Sequence, residues 1–289
     1  MPEPTRTIVC APPSQLLSEL SKANGLLSIV ARDEPRSLEC MLAVLSYLRR
    51  RAVHELDLGA LGPFDRDEGA SMGFNMHDNN SSSTAGLCVP AFYSALVGLS
   101  GLTRLRVGKA CLDQASGADA SGKWDVEYLC DAIPEFQCLR ALDLRGLNLT
   151  AADGCDVLIA CKKCPSLREL DLSDNSLHDL SDVLYYCDVV CHLDSLNLSG
   201  NALGEMDEDS VGSDLTCHAL MTLITQYTSL RELDLSTNLM GNREGWTIAE
   251  ALCKCTHLRE LNLRGNYWVD KVDANIKAAW QGEEERLFL

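Results

Sequence analysis

Three groups of residues in this 289-residue chain are of types that could do chemistry. Cys161-Lys162-Lys163-Cys164 has the spacing of a thiolate half-site, and Cys187, Cys191 and His192, then Cys253, Cys255 and His257, add sulfur and imidazole donors. Tetrahedral zinc needs four such ligands converging on one point. These groups instead recur once per repeated segment, at the end of a helical stretch and just before a strand. Periodicity accounts for them, because a small, weakly polar side chain suits that crowded position, and no metal is expected. Asp207, Asp209 and Gly212 stand at the first, third and sixth places of an EF-hand-like pattern. Val211 and His218 then occupy the fifth and twelfth places, where calcium needs oxygen donors and a bidentate Glu. A solvated acidic loop fits better. No phosphate loop, GxSxG, HExxH or GxGxxG pattern occurs, and the six histidines have no evident Ser or Cys partner. The expectation is no catalytic residue, no cofactor and no enzyme activity.

The charge balance points the same way. Lys and Arg total 25 against 42 Asp and Glu, a net charge of −17. Binding to nucleic acid or to an anionic membrane needs a basic footprint, so neither is expected. Apolar residues make up 46% of the chain, ample for a buried core. No apolar run approaches the ~18 residues of a membrane span, and the opening MPEPTRTIVCAPPSQLLSEL lacks the basic-then-apolar order of a secretory signal. The 14 cysteines, without regular disulfide spacing, read as thiols in a reducing, cytoplasmic compartment, with cilium, cytoskeleton and nucleus left open. The sequons at Asn80, Asn148 and Asn197 are then accidental.

What must position any working residue is a repeat. LRELDLSDN (167–175), LDSLNLSGN (193–201), LRELDLSTN (230–238) and LRELNLRGN (258–266) are near-perfect copies of one pattern, and looser copies start at Val53, Leu102 and Leu139. The fourth and sixth positions alternate to one side, as a short strand requires. Leu170 with Leu172, and Leu233 with Leu235, should bury against the next copy, since one copy alone cannot cover its apolar surface. Asn175, Asn201, Asn238 and Asn266 should turn inward, their amides satisfying backbone groups at the bend after each strand. The return legs read as helices: Leu158 and Cys161 in one, and Trp246, Ala249, Leu252 and Cys253 in another, fall at helical spacing. Uninterrupted steps of 28, 26 and 28 residues between first leucines leave room for a strand and a full helix.

CPSLRELDLSDN and GWTIAEALCKCTHLRELNLRGN resemble the ribonuclease-inhibitor-like subclass of leucine-rich repeats, over roughly residues 38–268. The resemblance implies an α/β solenoid of about seven repeats, with a curved parallel sheet on the concave side and helices on the convex side. Residues 1–51 are expected as an N-terminal helical cap, with an amphipathic helix marked by Leu38, Met41, Leu42, Leu45 and Leu48 and another helix over 14–31. Residues 52–268 form the array, with loops at 62–86, 113–124 and 204–214. Residues 269–289 form a C-terminal helical cap, helical over Asp273–Glu285, with Ile276, Ala279, Trp280 and Leu287 closing the last repeat.

The third and fifth residues of each strand point away from the core leucines. The third are Glu55, Arg104, Ala141, Glu169, Ser195, Glu232 and Glu260; the fifth are Asp57, Arg106, Asp143, Asp171, Asn197, Asp234 and Asn262. Carboxylates on strands ~4.8 Å apart repel one another, and a cation relieves the cost. The expected function is therefore a non-catalytic scaffold or adaptor subunit of a larger assembly. It would hold another protein with a basic surface or segment through Glu169, Asp171, Glu232, Asp234 and Glu260, with Asp143 and Arg145 at the margin. Reversing Asp171 and Asp234 to Lys should then weaken capture without lowering thermal stability. Arg104, Arg106 and Lys109 interrupt the acidic pattern, as a local basic spot or as internal charge balance. Two alternatives come from families with similar repeats. The Ran GTPase-activating protein carries an F-T-G-R type segment in an early loop and an Asn after an early strand. Here Phe64-Asp65-Arg66 lacks the Thr-Gly, and Leu61, Ala110 and Leu147 stand at the early Asn positions. A substrate adaptor of a ubiquitin ligase would begin with an F-box, whose Leu-Pro start and terminal Trp are missing from residues 14–51.

Overall fold

The computed structural model describes residues 6–9, 27–32, 45–46, 48–49, 53–60, 88–108, 125–178, 192–204 and 211–289. They fall into two compact units, Met1–Asp143 and Leu144–Leu289.

The first unit contains strands β1 (Arg6–Val9), β2 (Leu27–Arg32), β3 (Val53–Ala60), β4 (Arg104–Arg106) and β5 (Ala141–Asp143). They pair in that order, all parallel. Helix α1 (Cys88–Val97) precedes β4, and α2 (Asp125–Ala132) with a 3-10 turn at Ile133–Glu135 precedes β5. Leu56, Leu105 and Leu142 lie side by side in the register, each no more than 3% exposed. Phe92 and Leu96 of α1 and Leu129 of α2 are buried with them. Each fully buried Leu contributes about 1.5–3 kcal/mol.

The second unit repeats the plan with more regular spacing. Strands β6 (Glu169–Asp171), β7 (Ser195–Asn197), β8 (Glu232–Asp234), β9 (Glu260–Asn262) and β10 (Leu287–Phe288) are parallel neighbours in chain order. One register line runs Leu170, Leu196, Leu233, Leu261, Leu287. Helices α3 (Ala151–Lys162), α4 (Val211–Gln226), α5 (Asn242–Leu252) and α6 (Asp270–Ala279) form the return legs. Thr150 starts α3 with a capping box. Its backbone N–H donates to Asp153 Oδ2 at 2.8 Å, and Thr150 Oγ1 accepts from Asp153 N at 3.3 Å. At the start of α5 the Gly241 N–H donates to Glu244 Oε2 at 2.9 Å.

Several expectations need correction. Residues 1–51 are not wholly helical: β1 and β2 lie there, while Leu45 and Leu48 are helical and fully buried. A short apolar run such as LLSIVA does not distinguish strand from helix by periodicity, and its Ile and Val favour the sheet. The rest of that segment, and the loops at 62–86 and 113–124, lie outside the described residues. The loop at 204–214 ends early, because α4 begins at Val211. Its buried stripe of Thr216, Ala219, Leu220, Leu223 and Ile224 nucleates a helix that propagates one turn back. The last helix starts before Asp273 and ends before Glu285. Asp270 and Asp273 both fall in its first turn, where carboxylates favour the positive end of the dipole. Leu287 then joins β10 beside β9, and Leu263 N donates to Phe288 O at 2.7 Å. Within α5, Ile248, Ala249, Ala251 and Leu252 are buried, whereas Trp246 (41% exposed) and Cys253 are not. The apolar stripe runs through Ile248 rather than Trp246.

Candidate protein-binding face

In the second unit each three-residue strand buries its central Leu, while the residues on either side stay half-buried or exposed. The helices therefore cover one face of this sheet, and the third and fifth residues line the other. Glu169, Ser195, Glu232 and Glu260 occupy one register row; Asp171, Asn197, Asp234 and Asn262 occupy the next.

The two rows are held differently. In the fifth-position row one side-chain oxygen caps its own strand. Asp171 Oδ1 accepts from Ser173 N at 2.9 Å and Ser173 Oγ at 2.6 Å; Asp234 Oδ1 accepts from Ser236 N at 2.8 Å and Ser236 Oγ at 2.6 Å. Asn197 Oδ1 accepts from Ser199 N at 3.0 Å and Asn262 Oδ1 from Arg264 N at 3.3 Å. These are Asx turns that end each strand. The second oxygen reaches a neighbouring repeat. Asn197 Nδ2 donates to Asp171 Oδ2 at 3.2 Å and Asn262 Nδ2 to Asp234 Oδ2 at 2.9 Å, and Arg145 Nη2 also donates to Asp171 Oδ2. In the third-position row Glu232 is exposed, and Glu260 meets Arg286 at 3.4 Å. Asp143, expected at the margin, belongs to the first unit and pairs there with Arg106 at 3.4 Å. Of the expected contact residues the sheet thus gathers Glu169, Asp171, Glu232, Asp234 and Glu260 on one face, with Arg145 bound to Asp171.

Below the rows lies the Asn ladder. Asn175 Oδ1 accepts from Leu147 N and Leu149 N at 2.9 and 3.0 Å, and its Nδ2 donates to the Leu144, Leu172 and Ser173 carbonyls. Asn238, 1% exposed, accepts from Leu203 N and donates to Leu198 O, Leu235 O and Ser236 O. Asn201 and Asn266 repeat the arrangement. The residue before each Asn has positive φ: Asp174, Gly200, Thr237 and Gly265. A Cβ on Gly200 would displace the Asp174 carboxylate, and its positive φ favours glycine, although Asp174 and Thr237 adopt the same conformation in their repeats.

Sequence reasoning missed the Asx turns. Their signal was an Asp or Asn with Ser two residues on, at 171–173, 197–199 and 234–236. It also missed the second-position arginines. Arg168 Nη1 donates to the carbonyls of Pro165 and Leu167, and Arg231 Nη1 to those of Thr228, Leu230 and His257. His192 and His257 sit beside these arginines. Burial first, and the adjacent guanidinium second, hold both imidazoles below the ordinary histidine pKa; a backbone hydrogen bond at Cys164 partly opposes this for His192. Cys255 Sγ lies 3.7 Å from His257 Nδ1. Among the described residues no group of three His, Cys, Asp or Glu side chains is placed to hold a metal, and no helix is long and apolar enough to cross a membrane. Phe64, Asp65 and Arg66 lie outside the described residues.

Residues 163–180 and 254–266 match the Leucine Rich repeat family model, and both stretches lie on the strand-and-Asn units just described. The fold is a leucine-rich-repeat solenoid. It is similar to a protein from Bacteroides fragilis, with a TM-score of 0.51 and 12% identity over 96% of this chain and 72% of that one. It is also similar to the leucine-rich repeat-containing protein LegL7 from Legionella pneumophila, with a TM-score of 0.49 and 16% identity over 90% and 74% of the two chains. An internalin from Listeria monocytogenes gives a TM-score of 0.38 and 15% identity over 93% and 75%. No curated protein matches the chain. At such identities the likeness of the solenoid is one of fold, and its function must be argued from its own surface.

Proposed function

We propose that this leucine-rich-repeat protein is a non-catalytic scaffold or adaptor subunit that holds a basic segment of a partner protein on the uncovered sheet face of its second unit. The observation that carries the reading is the register of that face. It sets Glu232 directly beside Glu260 on the next strand and Asp234 one row away, on a sheet that among the described residues is packed by helices on its other side. Like charges that close are relieved by a cation, and the chain already uses one there, since Arg286 sits on Glu260. A Lys or Arg from a partner would do for Glu232 what Arg286 does for Glu260. The net charge of −17 would speed encounter with such a partner at low salt. Repeat steps of 28, 26 and 28 residues, with helical return legs α3 and α5 in the two steps of 28, support the ribonuclease-inhibitor-like subclass. The free thiols of Cys138, Cys253 and Cys255 support a reducing, cytoplasmic setting.

The test uses the full chain and a fluorescent 12-residue poly-lysine peptide, followed by anisotropy at low and physiological salt. Glu232→Lys with Glu169→Lys should weaken binding at least 10-fold while the thermal melt stays put. Unchanged binding would remove this face from the proposal.

A further inference from the structure

A second charged surface borders the first. The second residue of each repeat stands where the chain enters its strand, and the backbone sets these residues side by side. Asp194 N and Ser195 N both donate to Arg168 O, at 2.8 and 3.0 Å. Arg231 N and Glu232 N donate to Asp194 O, and Arg259 N and Glu260 N to Arg231 O. The row therefore reads Arg168, Asp194, Arg231, Arg259, at the strand spacing of ~4.8 Å. Exposed Lys163, at the end of α3, stands on the same edge because α3 feeds β6.

Two of these arginines are held in place by the fold. Their Nη1 atoms are bonded to carbonyls of the helix-to-strand turn, which leaves Nε and Nη2 without a hydrogen bond among the described residues. A guanidinium already fixed on one side loses less freedom when its remaining donors are engaged. Arg259 is exposed and holds no side-chain bond among the described residues. In a chain of net charge −17, four cations gathered along one edge need a reason beyond turn capping, which accounts for Arg168 and Arg231 but not for Arg259 or Lys163.

We propose that this strand-entry edge of the second unit docks an acidic polypeptide segment, with Lys163, Arg168, Arg231 and Arg259 meeting its carboxylates. The charge pattern favours a peptide over a nucleic acid. Asp194 interrupts the row, and a continuous phosphate backbone must cross it, whereas a peptide can place a neutral or basic residue there. The rest of the chain also repels a polyanion of high charge density far more than a short segment with three or four carboxylates. The occupant differs in sign from the one on the uncovered face, so the two surfaces can be probed separately.

The experiment measures anisotropy of a labelled 12-residue peptide with four glutamates spaced by glycine and serine, with the full chain at low salt, beside the poly-lysine probe and a 12-nucleotide single-stranded RNA. The acidic peptide should bind, Arg231→Gln with Arg259→Gln should weaken it at least 10-fold, and Asp194→Ser should tighten it about threefold. A gain of affinity is not produced by misfolding, so the Asp194 variant guards against a destabilised arginine variant. Poly-lysine binding should stay within twofold in all of them. The proposal is overturned if the acidic peptide fails to bind, if its affinity ignores both variants, or if the RNA binds more tightly. Loss of poly-lysine binding alone would sink the uncovered-face reading and leave this edge standing.

Discussion

In the first unit Arg104 reaches Glu55 at 3.9 Å, and Arg106 lies between Asp57 and Asp143 at 3.7 and 3.4 Å. Glu55 and Asp57 of β3 thus face cations on the very next strand. In the second unit the same rows are handled without arginine on the strands themselves. Asp171 and Asp234 spend one oxygen on a backbone turn and the other on an Asn of the following repeat. The difference extends beneath the surface. In the second unit an Asn amide ties each repeat to its predecessor, whereas in the first the backbones of β3 and β4 close up. A Cβ on Gly108 would run into Leu58 O and Gly59. One unit balances charge with charge at the surface; the other binds repeats with buried amides, and in its third-position row Glu232 is exposed beside Glu260, which meets Arg286. An acidic strand residue in such an array therefore has two distinct uses, and only the third-position one is a candidate for binding.

The largest expected effect tests the buried amides. Asn238→Ala orphans the Leu203 N–H and takes one of two donors from each of the Leu198, Leu235 and Ser236 carbonyls, which keep Asn201, Asn266 and the Gly200 N–H, and should cost about 2–3 kcal/mol, read as a fall in the melting temperature of the full chain. A cost under about 1 kcal/mol would mean that the ladder is not what joins these repeats. Next come the two uses of a carboxylate. Asp234→Lys should destabilise by about 1–2 kcal/mol because it removes the turn to Ser236 and the bond from Asn262. Glu232→Lys, two residues earlier, should change stability by less than about 0.5 kcal/mol. Equal losses would erase the distinction. In the first unit Arg106→Gln breaks two half-exposed ion pairs, worth about 1 kcal/mol or less together, and the loss should shrink in 0.5 M salt.

The smallest effect is a dependence on pH. His192 and His257 have lowered pKa values in the folded chain, so the unfolded chain takes up the proton first. The stability they contribute is full above the ordinary histidine value of 6.5 and is lost as the pH falls through it toward the folded value. Melting temperatures should drop between pH 7.5 and 5.5, and His257→Asn should flatten part of that slope. A wild-type melt that ignores pH would remove both imidazoles from the account.

Much of this architecture is legible in the amino-acid sequence. The seven strands follow from leucines at the fourth and sixth positions, because alternation on a short strand leaves few other ways to bury them. The inward amides follow from the backbone groups stranded at each bend. Other features are hidden for definite reasons. β1, β2 and β10 lack the leucine spacing and are strands through pairing with a neighbour, which the sequence does not display. Asp171 and Asp234 read as surface charge because a carboxylate that caps a turn has the same letter as one that faces solvent. Their bonds to Ser173 and Ser236 therefore argue against the expectation that reversing them spares stability. Arg168 and Arg231 read as ordinary surface cations, because their carbonyl partners are set by the path of the turn and not by residue type.

The step from Leu193 to Leu230 is 37 residues, about nine longer than the steps of 28. Yet Asn238 reaches back to Leu198 and Leu203 as Asn266 reaches back to Leu235 and Met240. The fastening between turns does not sense how much chain lies between them. New material can thus be spliced in at that junction without disturbing register, and such an array can acquire appendages one at a time while its scaffold stays the same.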